Sequence, residues 1–173
     1  MKSLIQNKAS SLEWRQPHLM EPLFELKGDG ELYASLKFSN SFGSLATGNA
    51  AEGEWTFKRL GFLSTMVTVR AKESQQNLAI YRNNTWSGGG TLEYPDGRKV
   101  QVNSNFWQSR FEFRDESGIE MLQFVNIGGF RLHSQLLVGK ETIDSPDLPW
   151  LVLLGWYLAV MTSREGEMVA AVI

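Results

Sequence analysis

Between residues 12 and 138 polar and apolar positions alternate in short runs, broken by a turn signal about every ten residues. Ser109-Arg110-Phe111-Glu112-Phe113-Arg114 is the clearest case, since polar and aromatic side chains exchange without a slip. That period of two belongs to a strand with one buried face. The same reading predicts twelve strands, at 12–16, 22–27, 31–37, 44–50, 53–59, 64–72, 77–82, 87–94, 98–103, 109–114, 119–126 and 132–138. Gly28-Asp29-Gly30, Asn83-Asn84, Pro95-Asp96-Gly97 and Asp115-Glu116-Ser117-Gly118 separate them. These residue types supply the positive-φ positions of tight hairpins. One-sided alternation with hairpin-length connections predicts an antiparallel sheet, as a sandwich or a closed barrel. The expected inward positions are Phe24, Leu26, Trp55, Phe57, Val67, Val69, Leu78, Ile80, Val100, Val102, Phe111 and Phe113.

At residue 148 the pattern changes. From Leu148 to Met161 no side chain is charged, and large apolar residues point in every direction around a helical axis. A helix apolar on all sides has to be surrounded on all sides, by lipid or by protein. Spanning a bilayer takes roughly 20 apolar residues, so this shorter run reads as a helix inside the protein. Asp147 supplies an N-cap, Pro149 fits the first turn, Arg164 suits the negative end and Gly166 a stop, which predicts a helix over 148–163. Such a helix is about 10–12 Å across. Barrel diameter grows with strand number, and twelve strands make a wall wide enough to admit it. Gly155 lets that wall approach closely. The expected fold is therefore mainly β, a closed antiparallel barrel of about twelve strands around a central hydrophobic C-terminal helix. It forms one domain over residues 1–173, with 1–11 and 166–173 as flexible ends.

Composition narrows the function classes. The chain has 173 residues and no cysteine, which excludes disulfides, thiolate metal sites and a Cys nucleophile. Its two histidines, His18 and His133, cannot build a His-rich metal site. A net charge of -2 argues against a dedicated nucleic-acid binder. The opening residues lack the apolar core of a signal peptide, so a cytoplasmic location is expected, in solution or peripheral to the membrane.

Twelve short strands that end in Asp147-Leu148-Pro149-Trp150-Leu151-Val152-Leu153-Leu154-Gly155-Trp156-Tyr157-Leu158 resemble the tubby C-terminal-like superfamily. Within it, the bacterial relatives of the LURP-one-related and phospholipid scramblase families are the most similar. The resemblance covers residues 12–163 and implies a closed twelve-stranded barrel threaded by its own C-terminal helix. Tubby domains bind phosphoinositide head groups through basic residues, while scramblase relatives are tied to membranes and calcium. No acidic loop of calcium-binding spacing and no cysteine-rich segment accompany the pattern here.

The candidate anion patch is Lys58, Arg59, Arg70, Lys72 and Arg82, five cations against the single carboxylate Glu73 over residues 58–82. Neighbouring strands would turn them into a surface for a phosphate-bearing head group. Ser87-Gly88-Gly89-Gly90-Thr91 lacks the lysine and the helix of a phosphate loop, and reads as a strand packed closely against its neighbours. His133 and Ser134 are adjacent on a strand, hence on opposite faces, and form no dyad. Most of the six tryptophans read as core, with Trp86 and Trp107, both in turns, as exceptions. The expected function is a non-enzymatic binding or scaffold module without cofactor or metal, recognising anionic phospholipid head groups or a protein. The alternatives are a carrier of a small apolar ligand and a tail-anchored membrane protein.

Overall fold

The computed structural model describes the chain apart from residues 62–64, 85–87, 106 and 173, and apart from the side chains of 167–172. Twelve strands run in chain order: β1 (Leu12–Arg15), β2 (Leu23–Gly28), β3 (Glu31–Phe38), β4 (Ala46–Ala50), β5 (Gly53–Leu60) and β6 (Met66–Ala71), then β7 (Ala79–Asn84), β8 (Gly89–Glu93), β9 (Lys99–Ser104), β10 (Phe111–Arg114), β11 (Glu120–Gly128) and β12 (His133–Val138). Each pairs antiparallel with the next, and β12 returns to β1, with Trp14 opposite Ser134, to close the barrel. Closure leaves no strand edge unpaired among the described residues.

The helix α1 (Leu148–Val172) enters this barrel from the end where β12 finishes. Every residue from Leu148 to Val160 is buried, which no surface helix achieves. Large side chains from around the wall meet it. Trp156 stacks on Trp14 of β1 at 5.5 Å between ring centroids and takes the edge of Phe24 at 5.7 Å. Tyr157 stacks on Phe38 at 5.5 Å and on Phe57 at 5.7 Å. On the β10–β11 side the helix touches the wall through Gly155, where a Cβ would lie 2.3 Å from the Phe124 ring. The Tyr157 hydroxyl, 2.6 Å from the Ser44 carbonyl oxygen to which it donates, is pushed well above the ordinary tyrosine range by burial.

The helix begins where expected, with a different use of its cap. The Asp147 carbonyl oxygen accepts from Leu151 N–H, while its carboxylate accepts from the Trp150 indole N–H at 3.1 Å and faces Arg98 at 3.7 Å. Gly166 does not end the helix, which continues to Val172 instead of stopping at 163. A glycine terminates a helix by adopting positive φ, and Gly166 does not. Among the expected inward positions Ile80 is corrected, while Leu78, just before β7, is partly buried against the core. The pairing Val69↔Ala79 and Val67↔Tyr81 sends Ala79 and Tyr81 into the core and leaves Ile80 on the outer face. With Ile80 and Tyr81 adjacent and both able to fill a core, the alternation was readable in either parity, and one residue of shift exchanges the faces.

The chain's start is docked at the entry end of the barrel. Leu4 is fully buried, and one oxygen of Glu52 accepts from Ser3 Oγ, Leu4 N and Ile5 N at 2.6, 2.7 and 3.1 Å. Among the described residues, no helix is long and apolar enough to cross a membrane.

Candidate functional site

A meander barrel has two ends, and here they differ in chemistry. At the entry end of α1 the five hairpins turn on polar residues, and each carries a carboxylate: Asp29, Glu52, Glu73, Asp96, and the pair Asp115 and Glu116. At the other end, where α1 emerges, the connections carry large apolar side chains in solvent. Met20 is 88% exposed, Phe42 98%, Trp107 81% and Phe130 88%. Single exposed apolar residues are ordinary, whereas four large ones on the connections at one end of a molecule are not.

These tips are mounted on braced loops. Gln16 donates from its amide to the Leu19 and Glu21 carbonyl oxygens at 3.1 and 3.0 Å, fixing the β1–β2 connection that carries Met20. Asn40 Oδ1 accepts from Phe42 N at 3.1 Å and from Gly43 N, an Asx turn that presents Phe42. Asn105 Oδ1 accepts from Arg110 N at 3.0 Å across the loop of Trp107. The β11–β12 connection turns through Asn126, Gly128 and Gly129, all at positive φ, and Arg131 donates to the Pro17 carbonyl oxygen at 3.2 Å. Braced loops hold Met20, Phe42 and Phe130 outward without the entropy loss a floppy loop would suffer on binding.

Beside the emerging helix lies a groove of about 500 Å³, lined by Leu19, Met20, Phe24, Phe42, Phe130 and Met161 among others. Arg59 of β5 and Glu165 of α1 form an ion pair at its border, and the Arg164 guanidinium lies 4.0 Å from the Phe38 ring centroid. Arg164 also donates to the Gly43 carbonyl oxygen at 3.2 Å.

The structure splits the five cations proposed as an anion patch. Lys58, Arg70, Lys72 and Arg82 share the outer face of β5–β6–β7, with Lys58 opposite Thr68 and Arg82 opposite Met66. Arg59 points the other way, toward the helix. Three of the outer four are engaged: Arg70 donates to Asn77 Oδ1 at 2.7 Å, Lys72 pairs with Glu54 at 2.9 Å and Arg82 with Glu93 at 2.9 Å. The Glu54 carboxylate holds the Lys72 ammonium above its ordinary range. A second hollow, about 460 Å³ on the outer wall of β1, β2 and β12, pairs Arg15 with Glu13 and Lys27 with Glu25, and Arg131 and His133 complete its charged and polar lining.

The remaining motifs resolve locally. Gly89 and Gly90 lie so close to neighbouring strands that a Cβ would sit 2.1 Å from the Val102 oxygen and 2.2 Å from the Arg82 oxygen. Ser87 and Trp86 fall outside the described residues. His133 is exposed, while the adjacent Ser134 is buried and donates to the Val125 carbonyl oxygen at 2.8 Å. Among the described residues, no group of three or more His, Cys, Asp or Glu side chains is placed to hold a metal ion.

Fold and surface together define a class: a closed antiparallel barrel, threaded by its own C-terminal helix, with an apolar rim at the helix exit and carboxylates at the opposite end. Comparison with family models, with curated proteins and with solved structures returned no match.

Proposed function

We propose that the protein is a non-enzymatic binding module that docks end-on to a lipid surface through the rim at the helix exit. The carrying observation is the set of braced, exposed side chains Met20, Phe42, Trp107 and Phe130 at one end of the barrel. Inserting an apolar side chain into the boundary of a bilayer recovers part of the 1.5–3 kcal/mol, roughly, that full burial is worth. Trp, with an apolar body and a polar N–H, suits that boundary. Charge supports the orientation. The carboxylates at the far end would be repelled by an anionic surface, while the rim loops carry Arg110 and Arg131 against Glu21. Membership of the tubby-like superfamily, in its LURP-one-related or scramblase-like branch, is part of this proposal and rests on the twelve-stranded barrel with its threaded helix.

The competing mode is a head-group patch on Lys58, Arg70, Lys72 and Arg82. Flotation with vesicles of zwitterionic and of mixed anionic lipid separates the two. The rim reading expects binding to both compositions. Replacing Met20, Phe42 and Phe130 together by serine is expected to weaken it about a hundredfold. Charge reversal of Arg70, Lys72 and Arg82 is expected to leave it within about twofold, because surface pairs are worth little and three of these cations are already engaged. Binding that requires anionic lipid, survives the serine substitutions and disappears on charge reversal would assign the function to the strand face instead.

A further inference from the structure

The groove beside the helix exit has the size and lining of a site for a ligand, not of a packing defect. Its volume of about 500 Å³ falls in the range of roughly 300–1,000 Å³ that small-molecule pockets occupy. Phe24 and Val160, both buried, form its inner side, while Met20, Phe42 and Phe130 stand at its exposed edge. Met20 and Met161 bring thioethers with three rotatable bonds, which adapt to a flexible guest better than branched or aromatic side chains do. The charged lining is balanced: Arg59 and Arg164 against Glu21 and Glu165. Arg59 is already paired with Glu165, and the Arg164 guanidinium is laid on Phe38 and Gly43. A net anionic head gains no uncompensated cation here, whereas a head of matched opposite charges fits a border of matched opposite charges.

We infer that the groove takes the aliphatic chain of a single-chain amphiphile with a zwitterionic head. The inference rests on the rim reading only for the source of the guest, since a chain leaving a bilayer in contact with Met20, Phe42 and Phe130 would enter at this place. The chain lies against Phe24, Val160 and Met161, and the head stays at the Arg59–Glu165 border.

Calorimetric titration of the full-length protein with dodecylphosphocholine, below its micelle-forming concentration, tests this without any membrane. The expected result is one-to-one binding that tightens about fourfold per added methylene through the octyl, decyl and dodecyl homologues. Ser163 of α1 lines the groove, and Ser163→Trp, which places an indole there, is expected to weaken binding at least about tenfold. If Ser163→Trp melts early, Leu132→Gln, on the wall side of the groove, carries the same expectation. Absence of one-to-one binding, an affinity indifferent to chain length, or full affinity in a folded Ser163→Trp variant would each overturn the inference. Vesicle docking without monomer binding removes the groove and leaves the rim. Monomer binding without vesicle docking supports the groove and removes the rim.

Discussion

Trp156→Ala is expected to lower the free energy of unfolding by about 3–5 kcal/mol, measured by urea denaturation of the two proteins side by side. The indole is fully buried, stacked within 3° of parallel on Trp14 and edge-on to Phe24, so its removal deletes transfer energy and two aromatic contacts together. The barrel wall cannot collapse into the space, because its strands are hydrogen-bonded all the way round. Trp107→Ala provides the internal comparison. It removes the same side chain from a position 81% exposed and is expected to change stability by less than about 0.5 kcal/mol. A helix lying on the outside of the protein would not give Trp156 this cost.

Gly155→Val is expected to cost about 3 kcal/mol, and Gly155→Ala about 1–2 kcal/mol, in the same measurement. Helix propensity alone predicts the opposite sign for alanine, a gain of about 1 kcal/mol over glycine. Sterics decide it, since the new Cβ would sit 2.3 and 2.4 Å from two carbons of Phe124 and 3.2 Å from Phe113. Those rings are fully buried against each other and cannot swing away as a flexible chain end would. The clash is specific to one partner, which gives a second arm. Combining Gly155→Ala with Phe124→Leu should cost less than the sum of the two, with a coupling of about 1 kcal/mol.

Much of this architecture was legible in the sequence because its signals are periodic. Alternation such as Arg110-Phe111-Glu112-Phe113 fixes a strand and its buried face, and all twelve strands fall within a few residues of where the alternation puts them. Asn83-Asn84 is corrected: instead of turning the chain it extends β7 and pairs with Gly90 and Gly89 of β8. The run from Leu148 to Met161 is uncharged, apolar on every side and too short to span a bilayer, which leaves it a protein interior, so the barrel's contents are legible in the sequence. Parity failed at Ile80, where the adjacent Tyr81 allows either face. At Arg59 parity carries the answer: the alternation that sends Trp55 and Phe57 inward sends Arg59 inward too, away from Lys58 and toward Glu165.

The rim was invisible for a different reason. Loop residues follow no period, and Met20, Phe42, Trp107 and Phe130 lie far apart in the sequence. Only the meander topology, which sends alternate connections to opposite ends, brings them together. A signal was nonetheless present. Sorting the turns of an even-stranded meander into odd and even sets separates apolar tips from the hairpins that carry Asp29, Glu52, Glu73, Asp96 and Asp115.

Enclosure of the helix by the barrel is open to a direct measurement, because the chain contains no cysteine of its own. Single cysteines placed in turn at Leu151, Val152, Leu153 and Leu154 look out at steps of about 100° around the axis, so together they sample every side of α1. Thiol labelling under native conditions is expected to be at least about a thousandfold slower at all four than at Met20→Cys, and to proceed only as fast as the protein unfolds. Rapid labelling at any one of the four would mean that one side of the helix meets solvent, and would contradict the enclosure.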